Sequence, residues 1–186
     1  MKASTLYRLS GVSSIISVVL LLIFGVGALV FDYLNIPQFI IIRLSGGFAH
    51  IFFVFTLLGI YFKQFEKMGV LGLIGFVLAM VGNVVFITDI LSSAYVSVQG
   101  ELFGPVGLAL PLGLLILAVA NHRAGVMPKW AGWLMVLGHA VNIISNTTIG
   151  LAAPIMLQIS LFAAGILWMG LALLRTPTQA VDSQMN

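Results

Sequence analysis

Long apolar runs separated by short polar connections dominate this chain. An α-helix needs roughly 20 mostly apolar residues to cross a bilayer. Runs of about that length occupy residues 10–31, 41–62, 69–91, 103–120, 130–149 and 152–174. The connections hold Pro, Gly and charged residues, and none is long enough to form a soluble domain. The pattern predicts an all-α, polytopic membrane protein with one domain of six transmembrane helices over 1–175 and a loose polar tail at 176–186.

Composition supports the same class of protein. Of the 186 residues, 61% are hydrophobic and 7% are charged, so the apolar surface exceeds what one water-soluble core could bury. The few Lys and Arg residues are scattered singly, which excludes the dense basic face of a nucleic-acid-binding protein. The absence of Cys excludes disulfides and thiol-based redox chemistry.

The basic residues predict how the chain is oriented. Seven of the eight Lys and Arg residues fall on one side of the six-helix path, and only Arg43 falls on the other. Cytoplasmic loops carry the excess of positive charge. We therefore expect both termini to be cytoplasmic and the protein to lie in a prokaryotic inner membrane. The seven residues are Lys2, Arg8, Lys63, Lys67, Arg123, Lys129 and Arg175.

Polar residues interrupt the apolar runs mainly in the predicted outer half of the bundle. An unpaired polar group in hydrocarbon costs several kcal/mol by order of magnitude, so each should face another helix or a wet cavity. From the helical rise, His50 and His139 lie roughly 13 and 15 Å below the outer surface, hence at similar depth. We interpret these residues as a polar recess with the ligand-binding candidates Arg43, His50, Asn83, Asp89, His139, Asn142, Asn146 and Gln158.

Two further expectations concern packing. Gly75, Ala79 and Asn83 form a ridge of small residues along one helix face, which predicts close approach of a neighbouring helix. Between its flanking basic residues, the inner half of each helix reads as almost purely apolar. The sequence therefore predicts that interior polar chemistry is confined to the outer half.

Three functions remain open. The recess could bind or transport a small solute or a proton. Alternatively, His50 and His139 could be the axial ligands of haem b, with Gly46, Gly47 and Gly138 making room for the macrocycle. In the third interpretation, the protein is an accessory or scaffold subunit whose polar residues only join helices. The first alternative needs no cofactor, and homo-oligomers and a partner membrane subunit both stay open.

Catalytic signatures do not favour an enzyme. The chain has no G-x-S-x-G, no H-E-x-x-H and no pair of Glu residues at helical spacing. A hydrolase or protease is therefore not expected, and no metal site is predicted beyond the haem alternative.

The segment GLLILAVANHRAGVMPKWAGWLMVLG carries one resemblance. A short basic loop leads into Pro128, Lys129 and Trp130, followed by Gly132 and Trp133. This arrangement resembles a feature of small, uncharacterised prokaryotic multi-span membrane proteins. The resemblance implies a six-helix or similar bundle in an inner membrane, but it implies no activity and no functional residue.

Overall fold

The computed structural model describes residues 3–34, 40–93, 105–148 and 153–176. Apart from Gly69, the connection at residues 125–128 and the residues that end the helices, the chain is helical in these ranges. Its elements are α1 (Ala3–Tyr33), α2 (Ile40–Ser93), a short 3-10 helix (Pro105–Leu108), α3 (Ala109–Ala124), α4 (Lys129–Thr148) and α5 (Ala153–Leu174). The all-α prediction is confirmed. From residue 177 onward, the predicted polar tail lies outside the described residues.

The connection predicted at residues 63–68 is wrong, because this segment is helical and belongs to α2. Its sequence, KQFEKM, consists mostly of good helix formers and contains neither Gly nor Pro. The helical conformation is interrupted at Gly69 instead, where φ is 56° and ψ is −153°. This backbone region is open essentially to Gly alone. Two helical arms meeting at Gly69 therefore stand where two helices were predicted at 41–62 and 69–91, and only the loop between them is missing.

The two arms of α2, residues 40–68 and 70–93, fold back on each other as an antiparallel hairpin. The rings of Tyr61 and Phe76 stack with their centroids 4.4 Å apart. Further from the turn, the side chain of His50 is hydrogen-bonded to that of Asn83. The two residues of each pair lie on opposite sides of Gly69, and the pair that is further from Gly69 on one arm is also further on the other, as an antiparallel hairpin requires.

The elements pack into a closed ring around a common core. The helix α1 packs on α2 and α5, α2 packs on α3, and α4 packs on α3 and α5, while α2 also touches α5 across the ring. Large side chains that are fully buried between these elements include Phe53, Leu57, Leu114, Ile166 and Met169. The ring brings residues from α2, α4 and α5 together although they are far apart in sequence.

Small residues bring the second arm of α2 into backbone contact with α3. A Cβ atom added at Gly82 would overlap the backbone of Leu110, and one added at Gly113 would overlap the backbone of Ala79. At Gly75 an added Cβ would lie 2.6 Å from the backbone nitrogen of Leu117. The predicted small-residue ridge thus does allow close approach, and the helix that approaches is α3.

The ends of α3 differ from the predicted run at 103–120. The α-helix begins at Ala109, which puts Pro111 in its first turn, where Pro is tolerated. It continues to Ala124 and ends at Gly125, which has a φ of 67° and donates its N–H to the carbonyl of Asn121. A left-handed Gly at this position is a common helix C-cap. The predicted inner loop is therefore shorter than expected.

Three segments are long and apolar enough to cross a membrane, namely Ala3–Phe31, Ile40–Ser92 and Ile155–Leu174. The apolar helix α3 is shorter. Large apolar side chains cover the outside of the bundle, including Leu9, Ile41, Phe55, Val70 and Leu157. An apolar exterior on an apolar core is typical of a membrane protein, in which lipid replaces water around the helices.

Candidate functional site

His50 and Asn83 bind each other through two hydrogen bonds across the α2 hairpin. The Asn83 amide nitrogen donates to the backbone carbonyl of His50 at 3.0 Å. The Asn83 amide oxygen is 2.7 Å from Nδ1 of the His50 ring. Both residues are buried, with 4% of His50 and none of Asn83 exposed. The pair holds one imidazole in a fixed orientation deep in the bundle.

These two bonds also determine which ring nitrogen of His50 carries the proton. A backbone carbonyl can only accept, so the Asn83 NH₂ group must face the carbonyl of His50 and its oxygen must face the ring. That oxygen can only accept as well, so Nδ1 of His50 donates. In the neutral imidazole, the other nitrogen, Nε2, then carries a lone pair.

His139 comes from α4 to the same level of the bundle. Its ring lies edge-on to the ring of Phe162 on α5, with centroids 4.7 Å apart. The ring of His50 lies nearly parallel to the same Phe162 ring at 5.9 Å. Both imidazoles therefore contact one aromatic ring, although they come from different helices. Residues from three helices thus form one cluster, which we call the histidine cluster: His50, Asn83, His139 and Phe162.

One polar atom of this cluster lacks a partner. His139 is 6% exposed, and its Nε2 atom is buried with no hydrogen-bond partner among the described residues. Leaving a buried polar group unpaired costs about 1–3 kcal/mol. The described residues contain three other such atoms, namely Ser10 Oγ, Gln64 Oε1 and Asn121 Oδ1. The His139 atom is the one that lies in the histidine cluster, and it calls for an explanation, of which a ligand or water is one.

Aromatic rings surround the histidine cluster. Phe86 is 4.5 Å from the ring of His50, and Phe53 lies edge-on to it at 6.3 Å. Phe53 and Phe162 are themselves in edge-to-face contact at 5.1 Å. The polar atoms therefore sit in an apolar, aromatic environment, in which hydrogen bonds and charges act more strongly than in water.

The other predicted site residues are placed around the cluster. Gln158 is on α5, one turn before Phe162, and is half-buried. Arg43 and Asp89 are also half-buried, about two turns further from Gly69 than His50 and Asn83. Asn142 and Asn146 continue α4 beyond His139, but their side chains lie outside the described part. The structure thus brings together His50, Asn83 and His139.

The glycines expected to make room for a haem macrocycle are packed against side chains. A Cβ atom added at Gly46 would lie 2.9 Å from the ring of Phe24, and one at Gly138 would lie 2.9 Å from Cβ of Phe162. At Gly47 it would overlap Leu91. These glycines therefore serve helix packing in this arrangement. A haem between His50 and His139 would also need space at Phe162, which contacts both rings.

The expectation of an almost purely apolar inner half is wrong. On α1, Ser10, Ser14 and Ser17 are fully buried. Ser14 Oγ is 3.0 Å from Oγ1 of Thr56, and Ser17 Oγ donates to the carbonyl of Ala49 at 2.8 Å. The spacing of these serines places them on one face of α1, a signal that the sequence does contain. They pack tightly, since small hydroxyl residues let helices approach and hydrogen-bond.

Two amides are also buried toward the turn at Gly69 and the α3–α4 connection. Asn121 donates to the carbonyl of Pro128 at 3.1 Å, which holds this connection in place. Gln64 donates to the carbonyl of Ile60 at 3.3 Å. Nearby, Lys63 donates to the carbonyl of Ala172 at 3.1 Å and to the Thr176 hydroxyl at 2.6 Å. A cation at the end of α5 suits the negative pole of that helix.

Comparisons with known proteins do not add an identity. No family model matches the chain, and no curated protein or solved structure matches it. Over the described residues, no group of three or more His, Cys, Asp or Glu side chains could hold a metal ion. The functional interpretation therefore depends on the geometry of the histidine cluster.

Proposed function

We propose that this protein is an integral membrane protein that binds or moves a small solute or a proton at the histidine cluster. The observation that carries the proposal is the buried Nε2 atom of His139, which has no partner among the described residues. A second imidazole lies at the same level with its tautomer fixed by Asn83. A pair of oriented imidazoles in an apolar environment suits proton relay or recognition of a small polar solute.

The scaffold alternative explains only part of this arrangement. The His50–Asn83 pair is what polar residues that merely join helices would form, since both bonds cross the hairpin. His139 has no such bond through Nε2. A Phe or Leu at this position would pack against Phe162 without leaving a buried polar atom unpaired. A role for His139 in binding accounts for its presence, whereas a role in packing does not.

The proposal includes six membrane crossings with both termini in the cytoplasm. The arms of α2 contain 29 and 24 residues, so they are about 43 and 36 Å long and each exceeds the roughly 30 Å of a hydrocarbon core. With α1, α3, α4 and α5, this makes six crossings and puts Gly69 at the cytoplasmic side. Reporter fusions at the C-terminus test it, because an extracytoplasmic C-terminus would contradict this path.

Ligand-dependent thermal unfolding tests the binding site. The purified protein is heated with and without a panel of small anions, cations and neutral solutes. At least one solute is expected to raise the melting temperature of the wild type but not that of His139→Phe. The matched control is Asn121→Leu, which alters a buried amide outside the cluster. If no solute gives a His139-dependent shift and the variant is simply more stable, the scaffold alternative is correct.

Accessibility can be measured without first removing native thiols, since the chain contains no Cys. Single Cys substitutions at His139, Asn142 and Asn146 are treated with a membrane-impermeant thiol reagent from outside. Labelling that increases from 139 to 146 is expected for a recess that opens outward. The wild-type protein is expected to be colourless, and a haem absorption band that disappears in His139→Phe would favour the haem alternative.

A further inference from the structure

The ligand that the histidine cluster would take can be narrowed by its hydrogen-bonding atoms. The proton on Nδ1 of His50 is used by Asn83, which leaves a lone pair on Nε2. Nε2 of His139 is not held as a donor by any partner in the described ranges, so it can present a lone pair as well. Nε2 of His50 is therefore an acceptor, and Nε2 of His139 is one in the tautomer that carries its proton on Nδ1, so a ligand that matches both must donate hydrogen bonds.

The surrounding rings favour positive charge. Phe53, Phe86 and Phe162 all lie within 6.3 Å of the His50 ring, measured between centroids. Aromatic faces carry negative quadrupole potential and attract cations within about 6 Å, most strongly where water is excluded. An anion would lie among these rings and the acceptor atoms without a compensating cation in the cluster. The environment thus favours a neutral donor or a cation over an anion.

A cation bound in the histidine cluster should be monovalent rather than divalent. The cluster itself has no carboxylate, and the described residues have no group of three metal-binding side chains. A divalent ion in an apolar environment needs anionic ligands to offset its desolvation. Because His50, Asn83 and His139 are buried, a ligand has to be small to reach them.

We infer that the histidine cluster binds a small nitrogen compound of the ammonia, ammonium or methylamine class, which donates hydrogen bonds to Nε2 of His50 and His139 against the rings of Phe53, Phe86 and Phe162. This inference rests on the proposed function, since it names the ligand class of the same site. It goes further in that it excludes anions and divalent metals as the principal ligand.

The test compares ammonium with potassium, which has a similar size and the same charge but cannot donate a hydrogen bond. Melting temperatures of the purified full-length protein are measured in ammonium chloride, methylammonium chloride, potassium chloride, nickel chloride and sodium formate at matched ionic strength and pH. Ammonium and methylammonium are expected to raise the melting temperature by about 3–5 °C beyond potassium at ten times Kd. The shift should be lost in His139→Phe and kept in Asn121→Leu.

The possible failures are distinguishable. Equal shifts in potassium and ammonium, or a His139-dependent shift in formate or nickel chloride but not in ammonium, would overturn the ligand class and leave the proposed site intact. An ammonium shift that persists in His139→Phe would place the binding elsewhere and overturn the inference. If none of the solutes gives a His139-dependent shift, including a wider panel of neutral compounds, the proposed function fails as well.

Discussion

Replacing Asn83 by Leu is expected to destabilise the bundle by removing the only described partner of the His50 Nδ1 atom. Asn83 contributes a bond of 2.7 Å to the ring and one of 3.0 Å to the backbone of His50. Leu is similar to Asn in size, so the change removes polar atoms without leaving a large cavity. The loss of stability should therefore report on the two hydrogen bonds.

The size of the expected stability loss follows from the two hydrogen bonds and from the His50 Nδ1 atom that the substitution leaves without a partner. Interhelical hydrogen bonds in membranes contribute about 0.6 kcal/mol on average and at most about 1.7 kcal/mol. An orphaned, buried ring N–H adds about 1–3 kcal/mol unless the proton moves to Nε2. Because that shift of tautomer relieves part of the penalty, we expect Asn83→Leu to cost about 2 kcal/mol.

A double-mutant cycle separates this pair from general effects on packing. Asn83→Leu, His50→Phe and the double variant are compared with the wild type by reversible unfolding in mixed detergent micelles. The expected coupling between the two positions is about 1–2 kcal/mol, since residues that share hydrogen bonds are not additive. The control cycle pairs His50→Phe with Asn121→Leu. Asn121 and Ile60 line the same small cavity. Ile60 is ten residues from His50 along α2, or about 15 Å, so the control cycle should be additive.

Two outcomes would refute the reasoning. If the Asn83 and His50 changes add within about 0.3 kcal/mol, the His50–Asn83 pair contributes no pairwise stability. If Asn83→Leu is as stable as the wild type, and His139-dependent binding of ammonium is also unchanged, Asn83 does not fix the tautomer of His50. If Asn83→Leu loses stability but shows no coupling to His50→Phe, the loss comes from packing of the α2 hairpin instead.

The remaining predictions concern the fold. Gly69→Ala is expected to cost about 1–3 kcal/mol although the position is open, because only its backbone conformation is strained; a melting curve unchanged from wild type would contradict this. Gly113→Ala should cost at least about 1–3 kcal/mol by overlap with the backbone of Ala79, and equal detergent unfolding of both proteins would argue against that contact. Lys63→Met should lower stability by about 1 kcal/mol, because it removes the cation bound to the Ala172 carbonyl at the end of α5. Salt screens this interaction, so the difference in stability between variant and wild type should be smaller at high salt.

The hydrophobic pattern was sufficient for the class of protein and for most helices, because both depend on local composition. Runs of apolar residues predict helices in lipid, since every backbone N–H and C=O must be bonded within its own segment. The pattern could not predict where α2 turns. The polar segment at 63–68 reads as a loop, but its residues favour a helix and it remains helical up to Gly69. Charge marks the boundary of the membrane, whereas backbone conformation marks the boundary of the helix.

The sequence alone also identified His50, Asn83 and His139 as unusual, because imidazole and amide groups in apolar runs need partners. Their arrangement was decided by tertiary structure. Asn83 reaches His50 because the hairpin at Gly69 brings residues 33 positions apart into register, and Phe162 meets both imidazoles because α5 crosses the ring to α2. Periodicity gives the face of a helix on which a side chain lies. Which atoms of a neighbouring helix that side chain contacts is decided only by the rotation and close packing of the helices.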